Sequence, residues 1–346
     1  MKVLVLNNMA AFVRGGAEEL AETLTAKLNE TPGVLSELVR LPFAWDSPER
    51  ILDGIMSSLA TRLDNVDRVI ALKFPAYLVP HPHKTLWLLH QYRQAYDLWG
   101  TNLTNLSGDQ RSIEIRNCIT SADNACFASC KRIFVNSRVT QSRLDRHNGF
   151  PSDILLPPLK AAEDFKCKGY GDYIFAGGRI NLMKRQHLLV EAMIRVPTGC
   201  KLIIAGPPDS PADGERLESL VAQHRLQDRV VLDLGWITRE RLASYVNGAL
   251  ACAYLPVDEE SVGYVTMEAF FASKSVITGV DSGGILDLVV NHQTGFVVEP
   301  NREALSVAIS QLASDRAQAE RMGANARDAI ERMSPDWKTT IDRLLA

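Results

Sequence analysis

The chain has 346 residues, of which 46% are hydrophobic, and this is long enough for two domains that each bury a sizeable core. A formal net charge of −3 and an isoelectric point near 6.2 give no overall attraction to nucleic acid, so we expect no nucleic-acid partner. The six cysteines are scattered through apolar or helical contexts, which predicts reduced thiols in a cytosolic protein.

Targeting and membrane signals are weak. Residues 1–7 form a short apolar run without the longer apolar core and cleavage site of a signal peptide. No apolar stretch approaches the ~20 residues that a membrane span requires. We therefore expect a cytoplasmic protein. Cys126 and Cys130 could share a helix face, but no C-x2-C pair occurs and no histidine is near them in sequence, so we expect no metal site.

The first part of the chain alternates short apolar runs with amphipathic helical patterns. Strands are predicted at residues 2–7, 67–74, 85–91 and 131–137, and helices at residues 17–29, 49–64, 106–129 and 138–147. The strand runs are almost continuously apolar, which is typical of a parallel sheet covered on both faces. The pattern predicts one α/β layer domain.

The alternation stops around residues 151–170 and then begins again. Pro157, Pro158 and the glycines at 169 and 171 disfavour regular structure, so we place the interdomain linker there. Beyond it, strands are predicted at residues 173–177, 201–206, 230–235, 251–256, 275–279 and 296–299, and helices at residues 184–195, 213–226, 238–247, 264–273, 283–291, 302–314 and 317–332. Ser334 before Pro335 predicts the start of a last short helix.

One strand-to-helix turn carries two cations. Gly177 and Gly178 would allow the backbone to approach a ligand closely. Arg179 supplies a forked cation and Lys184 a point-like one, a combination that suits a diphosphate. Taken alone, the segment also fits an ordinary turn with surface charges.

Two carboxylates follow the predicted strand at residues 251–256. Glu260 lies on a predicted loop and Glu268 in the helix after it, and eight helical steps would separate them by roughly 12 Å. They are too far apart to share one proton, so we expect them to serve different parts of one extended ligand. Asp258 and Glu259 are interpreted as solvated loop acids.

Three other features are candidates for a site. Gly15 and Gly16 open a helix whose first amides could face an anion, although an ordinary loop fits them equally well. Gly283 and Gly284 form another turn that could present amides beside the Glu260 loop. His90 ends a strand run at the sheet edge where ligands bind in open α/β sheets, and a structural histidine remains the alternative.

Several common catalytic motifs are missing from the sequence. It has no G-x-G-x-x-G fingerprint and no G-x-x-x-x-G-K-[ST] loop, so hydride transfer and P-loop chemistry lose their main support. It also has no G-x-S-x-G elbow and no common zinc signature. Residues 111–146 are locally basic, which fits either a solvated helical face or contact with an anionic membrane or acceptor.

Together the motifs resemble the family-4 retaining glycosyltransferases, which are group 1 glycosyltransferases with the GT-B fold. The resemblance covers nearly the whole chain. It rests on the glycine loop at 15–18, the pair Arg179 and Lys184 after Gly178, the E-x7-E spacing from Glu260 to Glu268, the turn at Gly283–Gly284, and Trp337 in the closing helix.

The resemblance implies an α/β architecture of two Rossmann-like domains whose parallel sheets face each other across a cleft. Residues 1–158 would form an acceptor-binding domain and residues 159–332 a nucleotide-sugar-binding domain. Residues 333–346 would form a helix that crosses back to the first domain.

The same resemblance implies roles for the site residues. Arg179, Lys184 and helix-start amides would stabilise the leaving diphosphate, so neither a metal nor another cofactor is expected. Glu268 would accept hydrogen bonds from the ribose, and Glu260 would hold the donor sugar.

Glycines and backbone amides complete the implied donor site. The amides of Val262, Gly263 and Tyr264 would help to hold the donor sugar, and the turns at residues 15–16, 178 and 283–284 would border the donor. His90 would contact the sugar or the acceptor.

The reaction implied is transfer of a sugar from a nucleotide-diphosphate sugar to an acceptor hydroxyl. The acceptor is expected to be a glycan or lipid-linked glycan of surface-polysaccharide biosynthesis, with possible peripheral membrane contact through residues 111–146. The alternatives are another GT-B enzyme such as a nucleotide-sugar epimerase, or a non-catalytic nucleotide-sugar-binding paralogue or assembly subunit.

Overall fold

The computed structural model describes residues 1–12, 15–101, 104–333 and 336–346. By their internal contacts these residues divide into two compact units. The amino-terminal unit holds the described residues of 1–158 together with residues 336–346. The carboxy-terminal unit holds residues 159–333.

A parallel six-stranded sheet with the order β2-β1-β3-β4-β5-β6 forms the centre of the amino-terminal unit. Its strands are β1 (Lys2–Met9), β2 (Leu35–Pro42), β3 (Arg68–Ala71), β4 (Lys84–Leu88), β5 (Arg132–Val135) and β6 (Asp153–Ile154). Its helices are α1 (Gly16–Asn29), α2 (Pro48–Ala60), α3 (Gln110–Ser129) and α4 (Arg138–Asn148). The prediction of a parallel α/β sheet is confirmed. The edge strand β2 was not predicted, because only one of its residues is fully buried.

Successive residues of β1 pack into hydrophobic clusters on opposite faces of this sheet. Leu4 and Leu6 lie in one cluster, whereas Val3 and Val5 lie in the other. This is the alternation of a strand whose two faces are both covered. The second cluster includes Leu344 of α11 (Trp337–Leu345), so the last helix is part of the core of the amino-terminal unit.

The carboxy-terminal unit contains a second parallel six-stranded sheet, with the order β12-β11-β10-β7-β8-β9. Its strands are β7 (Tyr173–Gly177), β8 (Lys201–Ala205), β9 (Val230–Asp233), β10 (Ala251–Ala253), β11 (Val276–Gly279) and β12 (Gly295–Val298). Its helices are α5 (Gln186–Ala192), α6 (Pro211–Gln223), α7 (Arg239–Gly248), α8 (Tyr264–Phe271), α9 (Arg302–Ser314) and α10 (Arg316–Met333). This is the strand order of a doubly wound Rossmann sheet.

Two predicted helices of this unit differ from the observed ones. The helix predicted at residues 283–291 is only a short 3₁₀ turn, Gly284–Asp287, because the backbone at its start is occupied by contacts with another loop. The helix predicted at residues 184–195 is interrupted at Arg185, whose φ of +55° places it in the left-handed region. The chain there forms a 3₁₀ turn, Leu182–Lys184, before α5 begins.

A completely buried acid lies inside the amino-terminal unit. Asp123 of α3 accepts a hydrogen bond from the Tyr77 hydroxyl at 2.9 Å and one from the Tyr96 hydroxyl at 2.7 Å. Burial raises the pKa of Asp123 to about 8, although the two hydrogen bonds partly oppose that shift. The carboxyl group is therefore held by neutral hydroxyls and not by a cation.

The cysteines are free thiols. Cys126 and Cys130 lie at the end of α3, where the Cys126 sulfur accepts a hydrogen bond from Lys84 Nζ at 3.2 Å. Among the residues that the structure describes, no group of three or more His, Cys, Asp or Glu side chains is placed to hold a metal ion.

Candidate donor site in the carboxy-terminal unit

The candidate site lies where the strand order of the second sheet reverses. β7 and β10 are neighbours, but β7 is followed by β8 on one side and β10 by β11 on the other. Ligands of doubly wound sheets bind outside the carboxyl ends of the strands at such a reversal. Residues 178–185 follow β7 and residues 254–263 follow β10, so the topology brings the two predicted motifs together.

Gly178 makes the turn that follows β7. Its φ of +103° is rarely adopted by residues with a side chain. A Cβ atom on Gly206 would lie only 2.1 Å from the Gly178 carbonyl oxygen, so two glycine turns pack against each other. The Gly178 N–H donates to Ala205 O at 3.1 Å and is therefore engaged within the protein.

Arg179 lies on this turn with 45% of its side chain exposed. Its Nη1 atom lies 3.2 Å from Oδ1 of Asp209, a residue in the segment after β8. Asn181 also donates to the Asp209 carboxylate, at 2.7 Å. The guanidinium group therefore combines access to solvent with one carboxylate partner.

Lys184 is much less exposed, at 14% of its side chain. Its Nζ donates to the Tyr254 hydroxyl at 2.8 Å and forms an ion pair with Glu259. Burial alone would lower the pKa of Lys184, but Tyr254 and Glu259 outweigh burial and raise it. Burial and the nearby Glu259 carboxylate raise the pKa of Tyr254 to about 12. The lysine is therefore held as a cation beside a neutral hydroxyl.

The interpretation of Glu259 as a solvated loop acid is wrong. Its side chain is 23% exposed and is paired with Lys184. Because Glu259 and Glu260 are adjacent, the sequence motif alone does not determine which carboxylate meets the lysine. Glu260 follows directly on the same partly buried loop.

Arg185 is a residue of this site that sequence reasoning missed. Its buried guanidinium donates to the carbonyl oxygens of Leu255 and Pro256 at 2.7 and 2.8 Å. Two of its nitrogens also donate to the two carboxylate oxygens of Asp281, at 2.8 and 2.7 Å. Arg185 thus joins the loops that follow β10 and β11, and the only sequence signal for it is its position next to Lys184.

Gly283 and Gly284 pack directly on the Glu260 loop. The backbone of Glu259 bridges to Gly283, and the Gly284 N–H donates to Glu259 O at 2.7 Å. A Cβ atom on Gly283 would lie 2.2 Å from that carbonyl oxygen. These glycines therefore hold the shape of the loop, and the Gly284 amide is engaged there.

The start of α8 carries the other predicted donor contacts. Val262 is buried, Gly263 precedes the helix with a φ of +74°, and Tyr264 is the first helical residue. The first N–H groups of a helix have no acceptor within that helix, so such a position suits an anion or a hydroxyl group.

Glu268 lies further along α8, and its side chain is 6% exposed. Oε1 of Glu268 lies 3.7 Å from Nη1 of Arg239, the first residue of α7. This arginine was not predicted, because no motif includes it.

The remaining predicted residues belong to the amino-terminal unit. Gly15 is the N-cap of α1 and Gly16 its first residue, whereas residues 13–14 of the same glycine loop lie outside the described residues. His90 follows β4, is half-buried, and has its Nδ1 atom 2.6 Å from Gln91 O. The predicted site residues of the carboxy-terminal unit therefore lie together at one edge of its sheet. Gly15, Gly16 and His90 lie instead on elements of the amino-terminal sheet.

Several cations of the basic segment 111–146 are occupied within the amino-terminal unit. Arg111 pairs with Glu114, Arg143 pairs with Asp97, and Arg116 donates to Ala95 O at 2.9 Å. Within the described parts of the chain, no helix combines the length and apolar character needed to cross a membrane. Contact of this segment with an anionic surface stays a prediction.

Comparisons with known proteins identify the family of the chain. A family model described as glycosyl transferases, group 1, matches residues 164–329. The D-inositol 3-phosphate glycosyltransferase of Mycobacteroides abscessus is 33% identical over 382 residues, which covers 100% of this chain and 83% of that relative.

Solved structures resemble the whole chain. Anabaena HepE in complex with UDP and glucose superposes with a TM-score of 0.74 at 15% identity, covering 99% of this chain and 98% of that one. Sucrose-phosphate synthase from Thermosynechococcus elongatus gives a TM-score of 0.73 at 18% identity with the same coverage. At this level of identity the likeness shows the fold, and it confirms the predicted GT-B fold.

Proposed function

The chain belongs to the group 1 glycosyltransferases, and we propose that it transfers a sugar from a nucleotide-diphosphate sugar to an acceptor hydroxyl, with retention of anomeric configuration. The observation that carries the proposal is the convergence of Arg179, Lys184 and the Glu260 loop at the strand-order reversal between β7 and β10. The donor would bind mainly to the carboxy-terminal unit and the acceptor mainly to the amino-terminal unit.

The two cations would act on the leaving group. Cleavage of the bond between the anomeric carbon and the phosphate leaves negative charge on the diphosphate and an oxocarbenium-like sugar. Arg179 would bind phosphate oxygens with its forked guanidinium, and Lys184 would place a point charge on the same group. Fixed cations aimed at developing charge are among the strongest contributors to catalysis.

The carboxylates would hold the rest of the donor. Glu268, deep in α8, would accept hydrogen bonds from the ribose hydroxyls. Glu260 and the amides at the start of α8 would hold the sugar, and Gly178, Gly283 and Gly284 would shape the surrounding loops. The donor then extends from the sheet edge along the start of α8.

No residue is assigned as a covalent nucleophile. We propose attack of the acceptor on the same face that the diphosphate leaves, with a leaving phosphate oxygen taking the acceptor's proton. On the amino-terminal unit, His90 would contact the transferred sugar or the acceptor, and Gly15 and Gly16 would border the donor. Such attack preserves the anomeric configuration.

The reaction would require no divalent metal. The pair Arg179 and Lys184 supplies the positive charge that a metal ion gives the diphosphate in other transferases. Turnover that is unchanged by EDTA is the expected result, and a strict requirement for added Mg²⁺ or Mn²⁺ would contradict it.

Two acceptor classes merit testing. A glycan or lipid-linked glycan of surface-polysaccharide biosynthesis fits a cytoplasmic enzyme working at the inner membrane face, with the basic segment 111–146 near the lipid. The name of the M. abscessus relative adds a phosphorylated inositol as a second class. Product analysis with both classes of acceptor distinguishes them.

The proposal is tested first by donor binding. Thermal unfolding is measured with UDP, GDP, ADP and TDP and with their common sugar derivatives, because a ligand that binds the folded state raises stability by RT ln(1 + [L]/Kd). One nucleotide class should stabilise the protein. The absence of stabilisation by all of them would contradict the proposal.

Turnover is tested next with the stabilising donor. Slow hydrolysis of that donor, accelerated by an acceptor, is the expected behaviour. Donor binding without hydrolysis or transfer to either acceptor class would instead support a non-catalytic nucleotide-sugar-binding paralogue.

A further inference from the structure

Arg239 connects the buried Glu268 to the first residues of the carboxy-terminal unit. Its Nη1 atom lies 3.7 Å from Glu268 Oε1, and its Nε atom lies 3.6 Å from Asp164 Oδ2. Its Nη2 atom donates to Lys160 O, and its guanidinium carbon lies 5.0 Å from the centre of the Phe165 ring. The arginine is therefore anchored on segment 160–165 by three contacts besides Glu268.

These anchors give Arg239 one defined geometry. Phe165 is fully buried, and the Arg239 side chain is only 22% exposed, so neither group can move far without losing contacts. A guanidinium group stacked on a ring and bound to a carbonyl oxygen loses little additional freedom when it binds a carboxylate. Arg239 thus meets Glu268 as a preorganised partner.

We propose that Arg239 is a positioning residue for ribose recognition. Through its ion pair with Oε1 of Glu268, Arg239 would orient the carboxylate so that the carboxylate oxygens accept hydrogen bonds from the ribose hydroxyls of the donor. This inference rests on the proposed function, since it assumes that Glu268 binds the ribose. It also makes segment 160–165, where the carboxy-terminal unit begins, a determinant of donor affinity.

A purely structural ion pair would behave differently. Loss of such a pair would lower stability, and it would weaken binding of ribonucleotides and 2′-deoxyribonucleotides by the same factor. A positioning role instead changes the preference for ribose over deoxyribose. The ratio of the two affinities is therefore the readout that distinguishes the two roles.

The experiment uses the full chain and three matched nucleotide pairs: UDP and 2′-deoxy-UDP, GDP and 2′-deoxy-GDP, and ADP and 2′-deoxy-ADP. Dissociation constants are measured by calorimetric titration for the wild type and for Arg239→Met, Arg239→Lys and Glu268→Gln. The pair that the wild type binds most tightly is used for comparison.

Arg327→Met is the matched control. Arg327 also stacks on a ring, that of Phe271 at 5.2 Å, and pairs with Glu331 at 2.6 Å, but it lies on α10. It has the same chemistry without the contact to Glu268. Its ribose preference should equal that of the wild type.

We expect the wild type to prefer the ribonucleotide by about tenfold or more, as is typical of a hydrogen bond to a charged group. In Arg239→Met this ratio should fall toward one, while affinity for the deoxynucleotide stays within about threefold of wild type. Arg239→Lys should restore part of the ratio, because it keeps the charge but not the forked geometry.

Other results would overturn the inference in distinguishable ways. An unchanged ratio in Arg239→Met, with a clear ratio in the wild type, refutes the positioning role alone. No ribose preference in the wild type refutes the assignment of Glu268 as well. No binding of any of these nucleotides or of TDP refutes the proposed function itself. Thermal unfolding of each variant shows whether it folds, and Arg239→Lys provides the readout if Arg239→Met does not.

Discussion

Each of the two cations proposed to bind the diphosphate already has a carboxylate partner, but the two ion pairs differ in burial. The side chains of Arg179 and Asp209 are 45% and 32% exposed, whereas those of Lys184 and Glu259 are 14% and 23% exposed. Exposed pairs contribute little to stability, while the removal of one partner from a buried pair leaves a costly unpaired charge.

The two cations would therefore meet a ligand from different starting states. Arg179 can leave Asp209 for water or phosphate at little cost. Lys184 is kept charged and fixed in place by Tyr254 and Glu259, so a diphosphate must compete with a carboxylate that is close to the same nitrogen. We expect variants of the partly buried pair, Lys184 and Glu259, to change both stability and turnover, and variants of the exposed pair to change turnover or binding alone.

Replacement of Lys184, the less exposed cation, should have the largest effect. Lys184→Met should reduce turnover of the stabilising donor by at least about a hundredfold, because a fixed charge on the leaving group is lost. It should also destabilise the fold, since Glu259 loses its partner. Initial rates and urea unfolding measure the two effects.

A double variant separates the effect of Lys184→Met on turnover from its effect on stability. Lys184→Met combined with Glu259→Gln should recover much of the stability while turnover remains lost. Recovery of turnover together with stability would show that Lys184 is only structural.

Replacement of the exposed cation should have a smaller effect that is confined to function. Arg179→Ala should lower turnover by about tenfold to a hundredfold. Its free energy of unfolding should stay within about 0.5 kcal/mol of wild type, as for other exposed pairs. Rates and urea unfolding on the same preparation test this, and wild-type turnover would remove Arg179 from the proposed site.

Removal of the partly buried Glu259 carboxylate should strengthen nucleotide binding. Glu259→Gln deletes a negative charge beside the proposed diphosphate position, so the affinity for the stabilising nucleoside diphosphate should rise by roughly threefold to tenfold. Titration calorimetry at low and high salt measures it. A weaker affinity would mean that the main role of Glu259 is to orient Lys184 for the ligand.

The smallest effect is expected from the exposed carboxylate. Asp209→Asn keeps the hydrogen-bonding shape and removes a charge that solvent already screens, so affinity should change by no more than about twofold. Titration under the conditions used for Glu259→Gln makes the comparison direct. Equal gains in the two variants would show that burial does not distinguish the pairs.

Much of the fold could be predicted because buried parallel strands are recognisable as apolar runs. The runs that contain β1, β4 and β7 were located within a few residues. Strand β2 was missed because its position at the sheet edge leaves Glu37 and Arg40 among its apolar residues, so no continuous run exists. The break at Arg185 was missed because a left-handed residue leaves no trace in helical periodicity.

The sequence predicted which segments of the chain form the site, but it did not predict which side chains form ion pairs there. The spacing of Arg179, Lys184, Glu260 and Glu268 identified which loops would meet. Asp209 and Arg239 lie in no motif and reach the site only through the fold, so local patterns could not show them. The pairing of Lys184 with Glu259, which was interpreted as a solvated acid, depends on the path of one loop.

Asp123 makes the stability of the amino-terminal unit depend on pH. Its pKa of about 8 in the folded state exceeds the ordinary value of 3.8, so between these values folding takes up a proton from water. Stability that depends on this proton is present at acid pH and declines as the pH rises, by at most about 1.4 kcal/mol per pH unit.

Tryptophan fluorescence can follow this unit, because Trp45, Trp87, Trp99 and Trp337 belong to it and only Trp236 lies in the other. Urea midpoints measured at several pH values should fall from acid to neutral pH in the wild type. They should change less in Asp123→Asn, and equal slopes in both proteins would contradict the proton uptake. The unit that is proposed to receive the acceptor would then lose part of its stability on moving from acid to neutral pH, independently of any charge in the donor site.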